Sequence, residues 1–372
     1  MITLSKPHPA GRRCGRTHQS GLSIVELMVS LAIGLVLLTG MSLVFVNSSQ
    51  TNRENERASA QIENGRYAIE TLSTNTRHAG YYGQFAELPT APTALPDPCA
   101  VSSTTTLYTA LPLAVQGYRA ATLTAQPTVA GTCAATFFAA SNLFRGSDIL
   151  VIRRTNTVIV AGAVTAGAAY FQANSGTGEV QFGASSANVP STNAAGAANA
   201  IYKVDGATGA ETRKYEQYVY FVAPCRSGSG TGGVCASSDD SIPTLKRLEL
   251  SVAGGAAAMS LVPIVDGIDY FKVEYGLDSS PTAVDTTTGL VGDGIPDSYV
   301  TAPTIAEWPN VVSVRIYIVA RNIEASAGFT DTKTYAVGSG LSTTAANDQY
   351  KRHQFATEVR INNVAARREI PR

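Results

Sequence analysis

The chain has 372 residues, with 28 basic and 28 acidic side chains, 15% charged residues in all and 44% apolar ones. Balanced, sparse charge excludes a protein whose whole surface grips phosphate, because nucleic-acid affinity comes from clustered lysine and arginine. A charged share below the usual ~25%, with Ala, Gly, Ser and Thr dominating residues 121–142 and 161–200, points to a chain with long loops.

Residues 1–21 contain Lys6, Arg12, Arg13 and Arg16 and no acid. Residues 27–46 form an apolar run of 20, and no charged side chain occurs between Glu26 and Arg53. At ~1.5 Å rise per residue the run spans ~30 Å, the thickness of a bilayer core. The basic flank predicts that the first residues stay in the cytoplasm and that the rest of the chain is exported. A cleaved secretory signal would carry a small-residue site after the apolar run, and none follows Val46. A plain anchor leaves Glu26 unexplained, since a carboxylate at the bilayer centre costs roughly 2.5–3.5 kcal/mol.

Small or apolar residues then recur at helical spacing as Ala58, Ile62, Gly65, Ile69, Leu72, Thr76 and Ala79, with the charges mostly elsewhere. One helix is predicted from residue 22 to about 78, ended by Gly80-Tyr81-Tyr82-Gly83 and needing a globular partner for its second half. Strands are predicted at residues 149–152, 158–160, 218–222, 248–252, 268–275, 311–320 and 355–361, where β-branched and aromatic residues gather. The fold class is α+β, a long N-terminal helix packed on a mainly antiparallel sheet.

Cys14 lies among the first 21 residues, and the remainder holds Cys99, Cys133, Cys225 and Cys235. An even count in an oxidising compartment predicts two disulfides, with three pairings open. Sequence proximity favours Cys225 with Cys235 and Cys99 with Cys133. Gly228-Ser-Gly-Thr-Gly-Gly233 fits a dinucleotide fingerprint by letters alone, because Cys235, Asp239, Asp240 and Pro243 follow where a helix must start. His78 and His353 are isolated and suggest no nucleophile–base set. Lys351-Arg352 and Arg367-Arg368 read as solvated or tail charges. Between Gly276 and Val300 lie Asp278, Asp285, Asp293 and Asp297. The stretch Asp293-Gly-Ile-Pro-Asp297 resembles an acidic calcium loop, and Asp278, Asp293 and Asp297 are its candidate ligands. Against that stands a solvated turn, since a full ladder of acids and a closing glutamate are missing.

Gly21 followed by Leu22-Ser23-Ile24-Val25-Glu26-Leu27-Met28 resembles the class III signal of type IV pilins and type II secretion pseudopilins. The resemblance implies that a prepilin peptidase cuts after Gly21 and methylates Leu22, which stands where the family usually has phenylalanine. Glu26 is then expected to set the register between subunits by meeting a neighbour's terminal ammonium. The stretches 261–276, 311–318 and 352–362 are similar to the domain of PilW-type minor pilins, whereas residues 84–250 match little. The division implied is a leader over 1–21, a long helix over 22–79 with its membrane part at 22–46, and a periplasmic β-rich domain over 80–372 with an insertion around 100–245. The expected function is a non-enzymatic minor pilin that initiates or caps a type IV pilus. It would lie in the inner membrane before assembly and in the pilus afterwards. Expected partners are other minor pilins, the major pilin, a tip adhesin and the prepilin peptidase, with no cofactor beyond the calcium candidate. Alternatives are a type II secretion pseudopilin, a pilus-mounted adhesin or DNA-uptake module, and a hydrolase working with carboxylates alone.

Overall fold

The computed structural model describes residues 21, 23–160, 163–183, 201–203, 205–206, 208–280 and 292–369. The chain falls into two units, Met1–Asn55 and Glu56–Arg372. Helix α1, Ile24–Arg77, contributes residues to both.

In the first unit the large apolar side chains of α1 stand exposed, from 48% at Val46 to 77% at Ile24. Such a surface demands hydrocarbon or other apolar helices around it. Two hydroxyls on this stretch are turned inward onto their own helix. Ser30 Oγ donates to Leu27 O at 3.0 Å, and Thr39 Oγ1 donates to Leu35 O at 2.8 Å. These two groups are thus satisfied without water, as an apolar solvent requires.

In the second unit the buried stripe of α1 is Gln61, Gly65, Ala68, Leu72 and Thr76. It differs from the predicted stripe at its start, where Ile62 is exposed and Gln61 is buried. The reason is polar. Gln61 Nε2 donates to Ala320 O at 2.7 Å and Lys351 O at 3.1 Å, which ties the helix to the ends of two strands. Gly65 has no room for a side chain, since a Cβ there would meet Phe355 Cε2 at 2.0 Å. The helix ends before Gly80, which takes φ +71 and donates its N–H to Arg153 O at 2.9 Å.

Every strand pair in this unit is antiparallel. The first sheet comprises β1 (Val115–Tyr118), β2 (Ile149–Ile159), β3 (Ala169–Ala173), β4 (Gly178–Phe182), β5 (Glu211–Ala223), β6 (Thr244–Ala253) and β7 (Ala256–Asp266). Strand β5 is its spine. Strand β2 lies along one side, and the other side is shared by β3 near residues 211–214 and β6 near residues 218–223. Both faces are covered, so residues 218–223 read as a continuous apolar and aromatic run instead of alternating. Tyr220 and Val222 enter the main core, whereas Val219 and Phe221 enter a second core with Phe137, Phe138 and both disulfides.

The second sheet holds β8 (Ile268–Leu277), β9 (Ser298–Val300), β10 (Val311–Arg321) and β11 (Arg352–Arg360) in the order β11-β10-β8-β9. Two sheets therefore stand where one was predicted. The chain passes between them at Gly267 alone, whose φ of +76 permits the sharp change of direction. A Cβ at that position would lie 2.6 Å from Arg321 O. The main core joins α1 to both sheets through Ala68, Leu72, Ile152, Tyr220, Phe271 and Ile316, among others. Three further helices are α2 (Thr104–Thr109), α3 (Thr132–Thr136) and α4 (Asn362–Glu369).

Candidate functional site

Gly21 is exposed and precedes α1; Leu22 lies outside the described residues. Glu26 is exposed in the first turn of that helix. Its Oε2 accepts a hydrogen bond from Ser23 N at 3.1 Å, the reach-back half of a capping box. A carboxylate there also meets the positive end of the helix dipole, so Glu26 has a favourable place in a lone helix before any partner arrives.

The structure joins Cys99 to Cys133 and Cys225 to Cys235. The first bond ties α3 to the loop that follows the helix exit. The second closes the glycine-rich loop that matched the dinucleotide fingerprint, and that loop contains only a short turn at Thr231–Gly233 before Cys235.

The proposed calcium ligands do not converge. Among the described residues the three carboxylates form no cluster of candidate ligand atoms, and Asp285 lies outside the described residues. Asp278 is fully buried and its Oδ2 pairs with Arg368 Nε at 2.8 Å. It also accepts N–H groups from Ser280 and Gly294, each at 3.0 Å. Burial alone would raise this carboxyl, yet the hydrogen bond and charge of Arg368 hold it below the usual carboxylate range. Asp297 Oδ2 accepts both the N–H and the hydroxyl of Ser279 at 2.8 Å, and Asp293 Oδ1 accepts Ile295 N at 2.9 Å. Asp293 and Asp297 thus accept from their own turn, and Asp278 from its turn and from Arg368.

The two basic pairs also differ from the solvated reading. Arg368 is buried, and Arg367 donates to Gly80 O at 3.0 Å. Arg352 binds Asp269 at 2.6 Å, Asp331 at 3.1 Å and Asp348 at 2.7 Å. The hydrogen bond from Arg352, the largest influence, holds Asp348 below its ordinary range. These ion pairs lock β11 and the segment before it onto the second sheet. The sequence hinted at one of them, Asp348 standing four residues before Arg352, whereas no spacing rule ties Asp269 or Asp331 to it. His78 Nδ1 lies 2.9 Å from Thr74 O, and the ring of His353 packs against Phe355 at 4.7 Å.

A buried guanidinium that pairs with no acid among the described residues stands on β2. Arg153 is 0% exposed and donates to Gln217 Oε1 at 3.0 Å, Leu113 O at 3.0 Å and Gln116 Oε1 at 2.7 Å. Gln116 and Gln217 in turn donate to Pro96 O and Pro98 O. The network therefore fixes the segment leading into Cys99.

Residues 219–363 match the family described as type IV pilus-assembly protein W, and residues 16–42 match the prokaryotic N-terminal methylation motif. The first match begins within β5, runs through both sheets and ends inside α4; β1 to β4 precede it. The second contains Gly21 and Glu26. Among solved structures, a type IV-like pilin from Thermus thermophilus is similar at 17% identity, over 40% of this chain and 79% of that chain, with a TM-score of 0.20. No curated protein matches the chain.

Proposed function

This chain is a type IV pilin of the PilW type by its two matched regions, and from that premise we propose that it is a minor pilin whose role is to initiate or cap a pilus. In this reading a prepilin peptidase removes residues 1–21 and methylates Leu22. Residues 22–46 then anchor the subunit in the inner membrane, and residues 80–372 form a periplasmic domain with an insertion around 100–245. The single observation that carries the reading is the union, in one chain, of a methylation motif containing Gly21 and Glu26 with a PilW-type region in the second unit.

Function then follows from solvation. An apolar helix exposed along its length is stable among lipids, and equally stable among the helices of neighbouring subunits, so exchange between the two carries little hydrophobic cost. What distinguishes the second state is Glu26. Burial of its carboxylate among helices requires a cation, and the terminal ammonium exposed by cleavage after Gly21 supplies one from a neighbour. The partners are accordingly other minor pilins, the major pilin, a tip adhesin and the peptidase. The subunit works by packing and performs no chemistry of its own.

N-terminal sequencing of the envelope-bound protein tests the first step: a start at Leu22 supports it, and residues 1–21 still attached refutes it. Incorporation of Glu26→Ala into sheared pili tests the second, with loss expected and wild-type incorporation refuting the role given to Glu26. A deletion strain should show fewer pili and weaker twitching; unchanged pili with impaired protein secretion would point instead to a secretion pseudopilin.

A further inference from the structure

The two disulfides sit in opposite electrostatic surroundings. Around Cys225 and Cys235 the nearest charge is positive. Lys246, on β6, is 1% exposed, and its Nζ lies 3.6 Å from Cys225 Sγ, 3.7 Å from Cys235 Sγ and 3.5 Å from Gly233 O. Among the described residues no carboxylate forms an ion pair with it. The acids that face it are committed elsewhere. Asp239 Oδ2 accepts the N–H groups of Ser229 and Ala236, Asp240 Oδ1 accepts those of Arg226 and Ile242, and Asp266 pairs with Arg226 at 2.7 Å. Burial, the largest influence, lowers this ammonium's pKa against the opposing pull of those three acids. Around the other bond the nearest charge is negative. A carboxylate oxygen of Asp97 and the sulfurs of Cys99 and Cys133 all lie within 4.8 Å of one another.

A thiolate next to an ammonium is stabilised, and a thiolate next to a carboxylate is penalised. We propose that Cys225–Cys235 is a thiol–disulfide exchange site open to a dithiol, with Lys246 holding the leaving thiolate, and that Cys99–Cys133 is an inert staple. Both cysteines are buried, and the loop between them is exposed at Arg226, Ser227, Ser229, Thr231 and Gly232, so attack requires that this loop open. Exchange begins when a thiolate of the dithiol, its proton lost to solvent, attacks the Sγ of Cys235, the residue that is 4% exposed against 1% for Cys225. The protein S–S bond breaks and its electron pair stays on Cys225 Sγ beside the Lys246 ammonium. The second thiol of the reductant then attacks its own sulfur in the mixed disulfide and closes a disulfide within the reductant. Cys235 Sγ departs with an electron pair and takes up that second proton. The dithiol is oxidised by two electrons and the protein disulfide is reduced by two.

The test uses the full chain in detergent micelles, equilibrated with mixtures of reduced and oxidised dithiothreitol, then acid-quenched, alkylated and mapped by peptide mass spectrometry. Loop length constrains the unfolded chain, so it sets no difference between the two bonds while the chain stays folded. The Cys225–Cys235 bond should be the more easily reduced by a factor of about ten, which is about 30 mV for a two-electron couple. Lys246→Met should remove that factor and leave the Cys99–Cys133 midpoint unchanged. Equal midpoints in the wild type, or a Cys99–Cys133 bond reduced first, overturn the proposal, and this comparison stands whether or not the variant folds. A folded Lys246→Met chain with an unshifted Cys225–Cys235 midpoint overturns it equally.

Discussion

Replacing Arg368 by methionine isolates the contribution of the ion pair that occupies the acidic loop. The substitution keeps an unbranched side chain in place but removes the donors to Asp278 Oδ2 at 2.8 Å and to Asn310 Oδ1 at 2.7 Å. The side chains of Arg368 and Asp278 are 7% and 0% exposed, so solvent cannot replace the lost partner. Breaking a buried pair from one side costs ~3–5 kcal/mol, because the remaining charge is stranded. At ~2 °C per kcal/mol for a domain of this size, the melting temperature should fall by ~6–10 °C. Neutralising both partners with Asp278→Asn and Arg368→Met should restore most of the loss, since no charge is then stranded. Protonation should act in the same direction. The carboxyl of Asp278 is held below its unfolded value, so its contribution is complete above that value, near pH 4, and is lost as pH falls through the lower folded one. Calorimetry of the full chain in detergent, with the single and double variants measured from pH 7 down to about pH 3, checks each step. A single variant within ~2 °C of wild type, or a double variant no better than the worse single one, would refute the reasoning.

Gly65→Ala should destabilise, because the added Cβ would sit 2.0 Å from the Phe355 ring; an overpacking cost of ~1–3 kcal/mol exceeds the ~1 kcal/mol gained in helix propensity. Urea midpoints should show the loss and its partial recovery in Gly65→Ala with Phe355→Leu; an unchanged midpoint for the single variant would contradict the close contact. Replacing both cysteines of one disulfide by serine should cost about 4 kcal/mol at Cys99–Cys133 and about 3 kcal/mol at Cys225–Cys235, in the order of their loop lengths of 34 and 10 residues. Thermal unfolding of the two double variants measures this, and the reverse order would show that chain entropy does not govern the difference.

The legible parts of this fold are those whose signal is local. The apolar run, the helix stop at Gly80 and the strands rich in Val, Ile, Tyr and Phe follow from period and propensity. Strand β7 was missed because it opens with Ala256, Ala257 and Ala258, which carry no strand preference, and it still forms because ten of its residues pair with β6. The β3–β4 hairpin was hidden by its alanine- and glycine-rich surroundings. Arg368 could not be recognised as buried, since its acid, Asp278, lies 90 residues away, and Asp269, one of the three acids that hold Arg352, lies 83 residues from it. The acidic loop left two readings open, a calcium site and a solvated turn, and the partnership of Asp278 with Arg368 is visible only in the tertiary structure. Gln61 shows the subtler failure, a polar residue held inside by hydrogen bonds to two strand ends far away in sequence.

The contact between α4 and the exit of α1 sets an order of events in the life of the chain. Asn363 donates to Ala79 O and Arg367 to Gly80 O, across 284 and 287 residues. The exit of α1 therefore completes these bonds only once residues near 367 have folded against it, so a chain cut short before α4 leaves Ala79 O and Gly80 O without these donors.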